Sequence, residues 1–234
     1  MKFKFLSIVL LASLTVSSGC FVATAPVHRN PFKVEPLNAV LVVGVDLSGS
    51  FAADFGERAF PLLKNVMQRF FVESMGEESR IVLAQISGTG DEQVVLFDGT
   101  PRELRRRFVD PASLSDFLLE HSNPKASPVF QAIGKMLSYV NQMPDIGEDT
   151  RVMGVIISDL KDSETDKKAW KKKGEKMLEE LEAYQARNGA IGLYYVDLGE
   201  IALWNRVLAH AGFEPGDFVI TNDLVEDPPL PSFD

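Results

Sequence analysis

Ala39-Val40-Leu41-Val42-Val43-Gly44-Val45 runs directly into Asp46-Leu47-Ser48-Gly49-Ser50. The first seven residues are almost continuously apolar, which is the pattern of a strand buried on both faces rather than one with a wet side. Such strands belong to sheets covered by helices above and below. The polar residues begin abruptly at Asp46, where the strand should leave the sheet. Asp46, Ser48 and Ser50 are spaced two apart, so an extended strand end can aim all three the same way. Gly49 eases the backbone of the turn they share.

Outward from this stretch the chain alternates strand-like and helix-like segments. Ala53 to Met75 carries Phe60, Leu63, Met67 and Phe70 at three- and four-residue spacing, which predicts a helix. Arg80 to Ser87 reads as a second strand. Gly88-Thr89-Gly90-Asp91 reads as a turn into an antiparallel edge strand over Gln93–Phe97. Short helices are expected at Glu103–Phe108 and Ser113–Glu120. A longer one opens near Ser127, with Pro128 at its first position, and ends near Gln142. Val152–Ile157 is a buried strand. Ser163 and Asp166 have the spacing of a helix-start cap, for a helix running to Arg187 and ended by Asn188-Gly189. Ala190–Val196, Ile201–Ala211 and Phe218–Ile220 then read as strand, helix and strand. The expected fold is α/β: a doubly wound, mostly parallel central sheet with one antiparallel edge strand and helices on both faces.

The ends read differently. Met1-Lys2-Phe3-Lys4 followed by the apolar run Phe5–Val16 and Ser17-Ser18-Gly19 has the layout of a secretory signal, with a run too short to span a bilayer. Cys20 is the single cysteine of the 234 residues, which excludes an intrachain disulfide and a cysteine-rich zinc site. Ser18-Gly19-Cys20 resembles the lipobox of bacterial lipoproteins, with Ser17 where leucine is usual. That resemblance implies cleavage before a lipidated Cys20. Phe21 in the following position points to the outer membrane, facing the periplasm, in a host with two membranes. The expected organisation is a signal peptide over 1–19, lipidated Cys20 and a proline-containing tether to 37, one domain over 38–222, and an acidic proline-rich tail over 223–234.

The chain has 24 basic and 33 acidic residues, a formal charge of −9. This disfavours nucleic acid, whose phosphates need clustered cations, and suits a metal ion or a basic surface. Oxygen-bearing side chains beyond the carboxyl ends of parallel strands suit a hard divalent cation. Asp46-Leu47-Ser48-Gly49-Ser50 after a buried first strand resembles the metal-ion-dependent adhesion site of von Willebrand factor A and integrin I domains. The resemblance covers residues 38–222 in element order. It implies two further contributions, matched here by Ser127 in Lys125-Ala126-Ser127-Pro128 and by Asp159 in Ile156-Ile157-Ser158-Asp159. Threonine is more usual at the first position, and glycine often follows the aspartate at the second, where this chain has Leu160.

What the resemblance implies is a Mg²⁺ site, with Mn²⁺ or Ca²⁺ as alternatives, held by Asp46, Ser48, Ser50, Ser127 and Asp159. Hydroxyl ligands leave the metal much of its charge, so it would take a Glu or Asp carboxylate from a partner protein. The expectation is recognition rather than catalysis. No Gly-x-Ser-x-Gly elbow, P-loop, dinucleotide fingerprint or His-x-x-x-His spacing is present. A metal-independent envelope scaffold and a metal-assisted phosphohydrolase are the rival readings, the second lacking an assignable general base. Lysines 167, 168, 171, 172, 173 and 176 among nearby glutamates read as a solvated helix face. Asp197 ends a strand on the same edge and is left outside the expected site.

Overall fold

The computed structural model describes residues 36–48, 55–87, 94–121, 126–223 and 228–232, apart from the side chain of Arg58. Ser50, Cys20, the Gly88–Asp91 turn, the signal segment and the tether up to residue 35 lie outside the described residues. Six strands form one sheet in the order β3-β2-β1-β4-β5-β6. They are β1 (Ala39–Val45), β2 (Ser79–Gln85), β3 (Val95–Gly99), β4 (Arg151–Ile157), β5 (Gly189–Tyr194) and β6 (Phe218–Thr221). All neighbours are parallel except β2 and β3, which are antiparallel with an irregularity at Leu83/Ala84. The fold is therefore the doubly wound α/β arrangement with one antiparallel edge strand.

Six α-helices cover the sheet: α1 (Phe60–Glu73), α2 (Pro101–Arg107), α3 (Pro111–Glu120), α4 (Val129–Asn141), α5 (Lys167–Gln185) and α6 (Ile201–His210). A turn of π-helix over Phe55–Ala59 leads into α1. Every residue of β1 is buried, as its unbroken apolar run requires. Alternation splits the strand between two cores. Val40 and Val42 join residues of α4, α5 and α6, whereas Leu41, Val43 and Val45 join α1, α2 and α3. Burial of some twenty large apolar side chains on each face, at about 1.5–3 kcal/mol apiece, is what holds the two helical layers to the sheet.

Local chemistry explains the helix boundaries. Thr100 and Asp110 each close a reciprocal capping box, with Glu103 and Ser113 respectively, and a proline follows each cap. The helices expected from Ala53, Glu103 and Ser113 begin at Phe60, Pro101 and Pro111, and two cap assignments also differ from the sequence expectation. Pro128 stands at the cap of α4 rather than inside its first turn. Asp166 alone caps α5, accepting from Lys168 N at 2.9 Å, because Ser163 is engaged elsewhere. Asn188 ends the same element in the left-handed region at φ 57, as asparagine tolerates. Directly after it, Gly189 faces the ring of Tyr184, where an added Cβ would stand 2.3 Å from Cε1. Tyr184 is fully buried, and its hydroxyl reaches Ala190 O at 3.0 Å and Val152 O at 3.2 Å. Helix α5 is thus seated on β4 and β5 by one polar group, the Tyr184 hydroxyl, inside an apolar interface.

Residues 228–232 lie along the face opposite α4 and α5. Tyr194 Oη donates to Pro229 O at 2.7 Å, Arg69 Nη1 to Pro228 O at 3.1 Å, and Leu230 packs against the core beneath α1. Among the described residues, no helix is long and apolar enough to cross a membrane.

Candidate functional site

The strand order reverses between β1 and β4, the two central strands, and groups at their carboxyl ends meet at that crossover. Their pairing is in register from Ala39↔Arg151 to Val45↔Ile157. Asp46 N continues the ladder by donating to Ile157 O at 2.8 Å. Asp46 and Ser158 are therefore side by side and share the parity of Val42 and Ile156, which face α4. This aims both side chains at the segment that enters α4.

The Asp46 carboxylate is fully buried. Ser127 Oγ donates to both of its oxygens, at 3.0 and 3.2 Å. Ser158 Oγ donates to Oδ2 at 2.8 Å, and Ser48 N to Oδ1 at 2.9 Å. Among the described residues none of these partners is charged, and no Lys, Arg or His forms an ion pair with Asp46. A buried carboxylate held only by neutral donors is costly, since its own desolvation amounts to several kcal/mol.

Asp159 lies one residue beyond Ser158, half-buried. Its carboxyl is raised above the ordinary value, first by desolvation and then by the charge of Asp46 and Asp197, with Lys161 N and the Lys161 charge acting against the shift. Lys161 Nζ spends most of its charge on Asp197, at 2.6 Å. That pair lowers Asp197 and raises Lys161. Glu200 is raised by burial and by Asp197, Asp159 and Asp162. The edge is acidic, with one local lysine among the described residues that is already committed.

The loop after β4 is bolted to the loop before α4. Ser163 N donates to Ser127 O at 2.9 Å, and Ser127 N donates to Ser163 Oγ at 3.1 Å. Asp162 Oδ2 accepts from Phe130 N at 2.9 Å, supplying the first turn of α4 with an acceptor that Pro128 does not provide. Leu160, where the family often has glycine, keeps the left-handed backbone at φ 60. Its side chain is 1% exposed and belongs to the core around α4 and α6. Packing there compensates a strain of about 1–2 kcal/mol that glycine would avoid.

Of the five residues expected to hold a metal, Asp46 and Ser127 are brought into direct contact. The backbone of Ser48 joins them, and Asp159 lies close enough for its ionisation to feel Asp46. Ser50 lies outside the described residues. The sequence does not mark Ser158 or Asp162 as site residues, and it marks Ser163 only as a helix cap. Ser158 is legible only from the β1–β4 register. Asp197, left out of the expected site, borders it: its N donates to Asp159 O at 3.0 Å.

The donor set suits a hard divalent cation: one buried carboxylate bearing two hydroxyls, and a second carboxylate disfavoured first by its own burial and then by the charge of Asp46. Among the described residues, no group of three or more His, Cys, Asp or Glu side chains is placed to hold a metal alone. Hydroxyls would have to complete the shell, and the Ser127 hydroxyl already stands against Asp46.

No family model and no curated protein matches the sequence. Solved structures share its fold. The pilus adhesin SpaC from Lactobacillus rhamnosus GG superposes in two crystal structures with TM-scores of 0.52 and 0.50, each at 10% identity over 82% of this chain. The chain spans 29% and 28% of those two adhesin chains. Manganese-loaded TRAP protein of Plasmodium vivax matches with a TM-score of 0.50 and 14% identity, over 80% of this chain and 69% of that one. At such identities the likeness concerns the path of the backbone.

Proposed function

We propose that this chain, whose domain has the von Willebrand factor A-type fold, is a recognition protein that binds a partner through a divalent cation at the Asp46 edge. The observation that carries the reading is the fully buried Asp46, held by Ser127, Ser158 and Ser48 N without a basic partner among the described residues, next to a carboxylate it repels. An acidic pair of this kind is unfavourable in isolation and favourable around a cation.

Ser48, Ser50, Ser127 and Asp159 would hold the ion with Asp46, and Mg²⁺ or Mn²⁺ fits their hard oxygen character. Bound there, the cation would offer an open coordination position to an anionic group. The chain's own residues do the rest. Ser158 fixes the carboxylate rotamer of Asp46, and Ser163 holds the backbone of Ser127 from both sides. The Lys161–Asp197 pair and Leu198, which is 72% exposed, form the neighbouring surface that a partner would cover. A carboxylate from that partner, Glu or Asp, matches the charge of the site when loaded and is repelled when it is empty of cation. Recognition would therefore depend on metal.

The same reading includes a lipidated Cys20 that tethers the domain to the outer face of a bacterial membrane or, in a two-membrane host, to the outer membrane from the periplasmic side. Calorimetric titration with Mg²⁺ and Mn²⁺ tests the site. Wild-type protein should bind one ion, and Asp46→Ala should bind none while retaining its circular dichroism spectrum. Equal affinity in both proteins would overturn the assignment. Palmitate labelling that is lost in Cys20→Ala tests the anchor separately.

A further inference from the structure

Helix α5 carries its lysines where physics least favours them. Lys167, Lys168, Lys171, Lys172, Lys173 and Lys176 all fall in the first ten residues of the helix, and its first turn holds no acid. The amino end of a helix is the positive end of its dipole, so Lys167 and Lys168 in the first turn are unfavourable. Lys168, Lys172 and Lys176 are also spaced four apart, in a single stripe of like charge, which adds repulsion. Lys171 and Lys173 are relieved by Glu175 at 3.7 Å and Glu164 at 2.7 Å. The stripe is not: among the described residues Lys168, Lys172 and Lys176 make no ion pair, and all three are exposed.

This stripe borders a groove of about 570 Å³ between α4 and α5. Lys172 and Lys176 stand on one wall, Ser138 and Tyr139 on the other, and Phe130 and Met177 make an apolar floor. Two features follow from the sequence. Gly134 and Gly174 lie where the helices meet, and a Cβ at either would stand in ordinary contact, 3.4 Å from Met177 Cα and from the Phe130 ring. The lysine stems can then lie along the rim with their ammonium groups in water.

We propose that the α4–α5 groove docks an acidic amphipathic segment of a partner protein, with apolar side chains on the floor and carboxylates against Lys172 and Lys176. Charge complementarity selects this occupant: the site is a cationic stripe on a chain of net charge −9. The recessed apolar floor selects a peptide over a lipid surface, since a plane of headgroups would meet the lysines and leave the floor untouched. Pro228 to Ser232 run along the opposite face of the sheet, away from this groove. This surface is separate from the Asp46 edge and needs no metal.

The test uses the full chain in EDTA, so that its outcome is independent of the cation site. The probe is a fluorescein-labelled helical peptide of about 15 residues, with leucines on one face and glutamates beside them. Fluorescence anisotropy should show saturable binding that weakens as salt rises from about 0.05 to 0.5 M. Lys172→Glu with Lys176→Glu should weaken it by about tenfold or more. Ser138→Trp, which fills the groove without altering charge, should do the same, and Lys171→Glu should not. The charge-reversed variant should melt within about 4 °C of wild type, because both side chains are exposed and make no ion pair among the described residues. Destabilisation beyond that would assign the lysines to the fold and overturn the proposal. So would absence of binding up to about 1 mM peptide, or lysine-dependent binding to vesicles with about 30% phosphatidylglycerol in preference to the peptide.

Discussion

Asp46→Asn preserves the shape of the buried side chain and removes its charge. In the wild type, Ser127 Oγ, Ser158 Oγ and Ser48 N all donate to the carboxylate. An amide oxygen can still accept from Ser127 and Ser48 N, but its nitrogen must then face Ser158 Oγ, which already accepts from Leu160 N at 2.9 Å. One charge-assisted hydrogen bond is lost, about 1.5–3 kcal/mol. Against it stand the desolvation of a buried carboxylate, several kcal/mol, and the relief of Asp159. Without metal the variant should therefore lie within about 2 kcal/mol of wild type. Asp46→Ala is different, because all three donors lose their acceptor at about 1–3 kcal/mol each before water enters. With Mg²⁺ at about a hundred times its dissociation constant, wild type gains about 2.7 kcal/mol. For a domain of this size that corresponds to a rise in Tm of about 5–11 °C. Thermal melts by circular dichroism, in EDTA and in MgCl₂, read both quantities. The Asn variant should show no metal-dependent rise. A wild-type protein that does not respond to Mg²⁺ or Mn²⁺, or an Asn variant that responds equally, would refute the reasoning.

Other outcomes can be measured alongside. Asp159→Asn should stabilise the metal-free protein at pH 7 in urea melts, since the raised carboxyl marks a charge the fold disfavours. The sign fixes the pH dependence: the penalty exists above the raised value and disappears as pH falls through it, so the two proteins should converge on acidification. Leu160→Gly should destabilise by about 1–3 kcal/mol in urea melts, because loss of a buried leucine outweighs the relieved left-handed strain; a stabilised variant would show that the packing account is wrong. Gly189→Ala should cost about 2 kcal/mol or more, since Tyr184 would have to leave its place against the backbone. Tyr184→Phe at the same junction should cost about 1 kcal/mol.

How far the sequence could be read depended on whether the signal was local. The burial of β1 follows from seven consecutive residues, and the sheet with its antiparallel edge follows from the alternation of strands and helices. Asp46 and Ser127 were legible because each sits beside an element end that the sequence marks. Ser158 was not, since its role depends on β1 and β4 being in register across 112 positions of chain. Ser163 was misread for the opposite reason. Its spacing to Asp166 satisfies a local rule, but the tertiary contact with Ser127 takes the side chain away from the helix. Leu160 shows the same competition in the backbone, where core packing overrides an intrinsic conformational preference.

Strand β1 also has a mechanical consequence. The chain enters it beside Leu37, which is held by Asp145 O and by Thr150 Oγ1, and leaves it at Asp46, about 30 Å further along. All seven of its residues are paired with β2 on one side and β4 on the other, both parallel. A pull between the N-terminal segment and anything gripping Asp46 would run along this strand's axis. Its hydrogen bonds would be sheared together rather than opened one after another. The line of tension would pass through the middle of the sheet and leave its edges unloaded.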